Sequence, residues 1–399
     1  MSTICYYSVP LYGHLNPVLP VLAALIARGE RVIAYNTERY RAAFERVGAA
    51  FRPYPDGAQI EAALPNTTNI NFFLTTLRLL DLYPSLLPFA REQTASERPA
   101  VITHDMMGGW AKIAAAEAGT PALMFVPSVY QTSAMGARIL PKALMARTLV
   151  QYARLALPIM QTQGRVEREL GLARGTLGSP LTNAEAHNVA FTARELQPFP
   201  DSLGFNVTFG GMPLSDRVDQ LDFALDDARP IIYIALGTIT TDNRALYKAC
   251  FDAFGEVDAQ VVLSVGRDTD PASLGAIPPN FIVRPFIAQL EILKRASLFV
   301  SHGGSNSVYE SLQFGVPLII VPTAVDPLLV AYRVVQEGAA VMIRPTHPLG
   351  GATAPELRAA HDRIMADRAG YARVAARLGD ALRATGGAGR AADVIQGLA

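Results

Sequence analysis

The sequence predicts an α/β protein made of two doubly wound parallel sheets, and three observations carry that prediction. Short apolar runs alternate with longer amphipathic ones up to residue 126, and the alternation restarts near residue 230. Between the two series lies Gly210-Gly211-Met212-Pro213-Leu214-Ser215-Asp216, a stretch with linker chemistry. The 399 residues exceed what one core needs and fit two units.

In the first unit the apolar runs predict strands at 3–9, 31–35, 50–53, 100–104 and 122–126. Helices are expected at 17–28, 38–47, 69–93 and 109–118. The strands are almost wholly apolar, as in a parallel sheet covered on both faces. Asn16 is a good N-cap and Pro17 suits the first helical position, so the first helix is expected to start there. Residues 130–175 break the rhythm; rich in Leu, Met, Ala and Arg, they read as an inserted helical region. In the second unit strands are expected at 230–235, 260–264, 281–283, 298–301 and 318–321. Helices follow at 355–384 and 388–398, separated by Gly386-Gly387. The expected division is 1–210, a linker at 211–228, 229–384, and a terminal helix within 385–399.

Composition narrows the function. Lys plus Arg equals Asp plus Glu, the net charge is zero, and no basic run occurs, so nothing favours nucleic acid. Two distant cysteines, Cys5 and Cys250, form neither a disulfide framework nor a zinc pattern, which fits a reducing cytoplasm. Residues 1–9 lack signal-peptide chemistry, and no run of about 20 apolar residues predicts a membrane span. A cytoplasmic monomer or homodimer acting on small molecules is expected.

The first strand runs into Tyr12-Gly13-His14-Leu15-Asn16-Pro17, and the fourth ends at Asp105. In a sheet of order 3-2-1-4-5 strands one and four are neighbours, and ligands bind where the order reverses, beyond the carboxyl ends. That topology brings His14 and Asp105 together. A hydroxyl nucleophile needs its proton removed, and a neutral imidazole is the usual base. An aspartate on the other ring nitrogen fixes the tautomer and stabilises the imidazolium. A structural alternative stays open, with His14 satisfying backbone groups in a turn and Asp105 capping the next helix. His104 should point the other way and reads as structural.

The strongest local signal is the run from Phe299 to Glu310, where an apolar strand ends in His302-Gly303-Gly304-Ser305-Asn306-Ser307 and a helix follows. Glycines let the backbone approach a ligand, and the free amides and dipole of a helix N-terminus bind an anion. His302, Asn306 and Ser307 add donors, and Glu310, on the same helix face, suits vicinal ribose hydroxyls. Upstream, Phe286 could stack on a base and the Ile287 backbone could read its edge; core packing is the alternative for Phe286. Gly237-Thr238, ending the first strand of this unit, is another place for a hydroxyl to meet phosphate.

With these motifs the chain resembles the family 1 glycosyltransferases of the GT-B fold, in particular bacterial macrolide and natural-product glycosyltransferases. The resemblance spans nearly the full length and rests on Gly13-His14-Leu15-Asn16-Pro17, Asp105, the segment from Phe286 to Gln289, and the block from His302 to Asp326. It implies two Rossmann-like domains facing across a cleft. It further implies a hexosyltransferase with an inverting, single-displacement, metal-independent mechanism, and no cofactor beyond the nucleotide-diphosphate sugar co-substrate. In that reading His14 is the base and Asp105 its partner. His302 meets the diphosphate, Gly304, Ser305, Asn306 and Ser307 lie on phosphate, Glu310 on ribose, and Gln289 and Asp326 in the donor site. The terminal helix is expected to cross back onto the N-terminal domain.

Two departures stand out. Asp326 is followed by Pro327 where the family commonly has Gln, and Val330 stands where Asn is expected; Ala288 for Pro is minor. Both changes strip polar groups from the sugar side and predict a donor with fewer hydroxyls than glucose. Three other classes stay open: a silent nucleotide-sugar-binding partner protein, a sugar-nucleotide epimerase, and a dinucleotide oxidoreductase, the last lacking a Gly-x-Gly-x-x-Gly after the first strand.

Overall fold

The computed structural model describes residues 1–64, 72–178, 183–214, 220–226, 228–236, 243–267, 269–344 and 350–399. They form two α/β units, each around a parallel sheet. In the first unit β1 (Thr3–Tyr7) leads through a one-turn helix α1 (Tyr12–Leu15) into α2 (Leu19–Ala27) and β2 (Arg31–Asn36). Then come α3 (Arg41–Arg46), β3 (Ala50–Pro53), α4 (Gly57–Ala63), α5 (Phe72–Glu97), β4 (Val101–Asp105), α6 (Gly109–Ala118) and β5 (Ala122–Val126). The inserted region is helical, as α7 (Ser133–Ile139) and α8 (Lys142–Glu169), and β6 (His187–Ala190) and β7 (Val207–Phe209) complete a sheet of order β3-β2-β1-β4-β5-β6-β7.

The second unit runs β8 (Ile231–Ala235), α9 (Arg244–Phe254), β9 (Gln260–Ser264), β10 (Phe281–Arg284), α10 (Gln289–Leu293), β11 (Leu298–Ser301), α11 (Ser305–Gln313), β12 (Leu318–Ile320), α12 (Val325–Glu337) and β13 (Ala340–Met342). Its sheet has the order β10-β9-β8-β11-β12-β13. Helices α13 (Ala354–Ala366), α14 (Arg368–Ala384) and α15 (Gly387–Gln396) close the chain. Each sheet therefore reverses its order once, between β1 and β4 and between β8 and β11. At those two places side chains from the strand ends can meet a ligand.

Burial explains the composition. β4 and β8 are buried at every position, as strands covered on both faces must be. One core joins the inner helical layers of both units, from Ile4 and Leu25 through Tyr309 to Leu382; two more fill the outer layers. α15 packs on α2, where Arg28 binds Asp393 at 2.8 Å and Gln396 donates to Glu30 at 2.8 Å.

Three local expectations are corrected. Asn16 is not an N-cap: it closes α1, its N–H donating to Tyr12 O at 2.9 Å. Pro17 has no N–H to continue that ladder, Val18 N–H turns back to Leu15 O, and α2 starts only at Leu19. The helix expected over 355–384 is two, because Asp367 leaves helical geometry at φ −140° and caps α14 by accepting the Gly370 N–H at 3.0 Å. Strands β6, β7 and β13 were not anticipated; with three or four residues each, they carry too little apolar pattern to read.

Candidate active site

His14 sits on α1, beyond the carboxyl end of β1, and Asp105 is the last residue of β4, the neighbouring strand. The sheet brings them together across 91 residues: His14 Nδ1 lies 2.7 Å from Asp105 Oδ2. Asp105 is 1% exposed, and its other oxygen, Oδ1, accepts the Met107 N–H at 2.8 Å. An ionised carboxylate only accepts, so Nδ1 carries the proton and Nε2 keeps the lone pair. Burial pulls the His14 pKa down, but the charge and hydrogen bond of Asp105 and the charge of Asp326 outweigh it, and the pKa stands above the usual 6.5. His104 points elsewhere, with Nδ1 at 2.9 Å from Asp105 O and Nε2 at 3.0 Å from Glu185, so it is structural.

Asp326 belongs to the other unit, in the first turn of α12. Its side chain is exposed, yet protein is packed closely around it. That crowding raises its pKa, against its own backbone N–H and the charge of His14. Each of these two charges acts on the other, so His14 of one unit lies within electrostatic reach of Asp326 of the other.

The predicted phosphate turn is formed at the end of β11. Gly303 has φ +91°, and a Cβ there would come within 2.8 Å of Ile320 Cγ2 and 3.1 Å of Pro327 Cβ, so only glycine fits. Gly304 precedes α11 without a side-chain cap, and a Cβ on it would lie 2.4 Å from His302 Nε2. The absent side chain makes room for the imidazole. The first-turn amides of Ser305, Asn306 and Ser307 precede the first helical bond, from Val308 N–H to Gly304 O. Burial pushes the His302 imidazole down to about 4, which keeps it neutral near pH 7. Its Nδ1 and the Asn306 Oδ1 are buried with no partner among the described residues. Such atoms cost roughly 1–3 kcal/mol each, so a polar ligand at this turn would recover free energy.

The rest of the predicted donor site divides. Glu310 is 3% exposed, and its Oε2 accepts Gln289 Nε2 at 2.6 Å. Gln289 also donates to Ser307 Oγ at 3.2 Å and accepts from Tyr233 OH at 3.2 Å. Glu310 and Gln289 thus present a linked acceptor–donor pair rather than a free carboxylate. Phe286 is 45% exposed, which rules out core packing, and the Arg267 guanidinium lies 4.4 Å above its ring. Ile287 beside it is buried. Arg267 was missed from sequence, although Gly266-Arg267 lies one residue beyond the carboxyl end of β9 and so shares the ligand-binding edge. Gly237 and Thr238 lie outside the described residues. Pro327 is buried over Gly303, and Val330 is buried in the core. Val330 thus faces the interior rather than a sugar, and the deoxysugar expectation rests on Pro327 alone.

Among the described residues no group of three or more His, Cys, Asp and Glu could hold a metal ion, and no helix is long and apolar enough to cross a membrane.

Comparisons with known proteins give the family. Residues 248–392 match the family described as Erythromycin biosynthesis protein CIII-like, C-terminal domain. The NDP-glycosyltransferase YjiC of Bacillus subtilis is 30% identical over 399 aligned residues, covering 98% of this chain and 96% of the relative. Demethyllactenocin mycarosyltransferase of Streptomyces fradiae is 27% identical, covering 100% of this chain and 87% of the relative. The crystal structure of the glycotransferase of kitacinnamycin superposes with a TM-score of 0.84 at 31% identity, covering 100% of this chain and 99% of that one.

Proposed function

The chain belongs to the glycosyltransferases of the GT-B fold, and on that premise we propose that it moves a sugar, with inversion and without metal, from a UDP- or dTDP-sugar to a hydroxyl of a small, largely apolar natural product. The observation that carries the proposal is the His14–Asp105 pair, 2.7 Å apart, with the charge of Asp326 from the other unit acting on it. The names of the relatives, among them a mycarosyltransferase, support a nucleotide-sugar donor and a natural-product acceptor.

The step balances simply. The acceptor oxygen forms a bond to the anomeric carbon while its proton passes to His14 Nε2, and the bond from that carbon to the diphosphate oxygen breaks. Asp105 steadies the imidazolium. The leaving diphosphate takes the electron pair, and the first-turn amides of α11, with His302, Asn306 and Ser307, meet the developing charge. Phe286, with Arg267 seated on one face of its ring, would offer the other face to the base, and Glu310 with Gln289 would hold the ribose.

The test is a panel of UDP- and dTDP-sugars against phenolic and macrolide acceptors, in the presence of a chelator, read by product mass and nucleoside-diphosphate release. Transfer that survives the chelator is expected. Tight nucleotide binding with neither transfer nor slow hydrolysis would make the chain a silent binding partner instead.

A further inference from the structure

The longest helix among the described residues, α8, leaves an apolar face uncovered. Leu149, Val150, Leu157 and Met160 are 61%, 51%, 62% and 64% exposed, and at helical spacing they fall within one arc of about 100°. Arg147 and Arg154 line one edge of that arc and are exposed. No Asp or Glu occurs anywhere in residues 118–166. Elsewhere surface arginines hold carboxylates, as Arg31, Arg41, Arg52, Arg91 and Arg377 do. Arg147 and Arg154 have no carboxylate partner among the described residues. The helix thus combines a bare apolar stripe with unpaired cations, on a chain of zero net charge.

We propose that α8 is a docking face for an anionic phospholipid bilayer, with the apolar stripe entering the headgroup region and Arg147 and Arg154 engaging lipid phosphates. Charge complementarity selects this occupant. A second copy packed on the same stripe would bring no α8 carboxylate to the two arginines, because residues 142–166 contain none. The surroundings give docking a purpose. The Tyr152 ring meets Phe73 at 5.3 Å, near the start of α5, and Arg165 further along pairs with Asp81. The first turns of α8 therefore reach past α5 on the side where the strands end, the side of His14. A docked protein holds its cleft mouth close to the bilayer, where apolar acceptors dissolve; that last clause alone rests on the transferase reading.

The test uses the full chain and vesicles of phosphatidylcholine alone or with one-third phosphatidylglycerol, read by co-sedimentation at low and physiological salt. Binding is expected on the anionic vesicles and not on the neutral ones, and it weakens with salt. R147Q/R154Q weakens it about 25-fold, at roughly fivefold per cation. L149Q/L157Q weakens it at least ~10-fold through lost apolar burial. These positions are exposed, so both variants keep the parental thermal midpoint and the parental transfer rate to a water-soluble phenol. No association with anionic vesicles would overturn the proposal. So would equal binding to neutral vesicles, or binding that both variants retain. Self-association that the variants abolish, without lipid binding, would assign the face to a second copy. An inactive parent that still binds vesicles would count against the transferase reading and in favour of the docking face.

Discussion

Replacing Asp105 by Asn tests the site through a single proton. The Asp105 Oδ1 accepts the Met107 N–H at 2.8 Å, and Oδ2 faces His14 Nδ1 at 2.7 Å. An asparagine of the same shape must keep its oxygen on the Met107 N–H, since a buried N–H without a partner costs about 1–3 kcal/mol. Its NH2 then points at His14 Nδ1 and demands an acceptor there. The ring proton moves to Nε2, the nitrogen meant to receive the acceptor's proton, and the base is lost although every heavy atom stays in place. The charge that lifts the His14 pKa disappears as well. General-base catalysis contributes about 10²–10⁴-fold, or roughly 2.7–5.5 kcal/mol of barrier, and Asp105→Asn should lose most of it. Asp105→Ala leaves the tautomer unfixed rather than inverted and should lose less. The assay is kcat/KM for the acceptor at saturating donor, alongside nucleoside-diphosphate affinity by calorimetry, which should not change. An Asn variant within about threefold of the parent, or an Ala variant worse than Asn, would refute the tautomer argument.

Asp326→Asn should move the acid limb of kcat/KM to lower pH, read from a full pH–rate profile. His14 works as a base only when neutral, so activity rises with pH through its pKa. Asp326 is one of the charges holding that pKa up. A limb shifted to higher pH would contradict the sign. Gly304→Ala places a methyl 2.4 Å from His302 Nε2, so the imidazole must turn away. Losing one charge-assisted contact should weaken nucleoside-diphosphate binding about 10-fold or more in calorimetry. Thr192→Val removes the hydroxyl that donates to Tyr309 OH at 2.9 Å across the two units. Denaturant unfolding should show a loss of roughly 1–3 kcal/mol from the stranded buried phenol.

Much of the layout is written in local pattern. Residues 50–53, 109–118, 122–126, 260–264 and 298–301 form the expected elements to the residue, because each is an apolar or amphipathic run bounded by Gly, Pro or polar residues. His14 and Asp105 could be paired because parallel topology forces the ends of adjacent strands together. Less was readable where an outcome depends on side chains distant in sequence. The Gln289–Glu310 contact joins two helices 21 residues apart, and it turns an expected free carboxylate into half of a pair. Val330 reads in sequence as a lost sugar contact, but α12 carries it into the core. Asp326 bears on His14 only through the mutual orientation of the two units, which no local run encodes. The polar strand β6 was invisible for the opposite reason: Asn188 there donates to the carbonyls of Glu185 and Asn206, a structural role that reads as loop chemistry.

Catalysis depends on an imidazole that takes a hydroxyl proton opposite a bound diphosphate. Single-turnover transfer by His14→Ala, with saturating nucleotide sugar and a competent acceptor, tests that directly. A rate about 10²–10⁴-fold below the parent with nucleoside-diphosphate affinity intact is the predicted result. Transfer at the parental rate would contradict it.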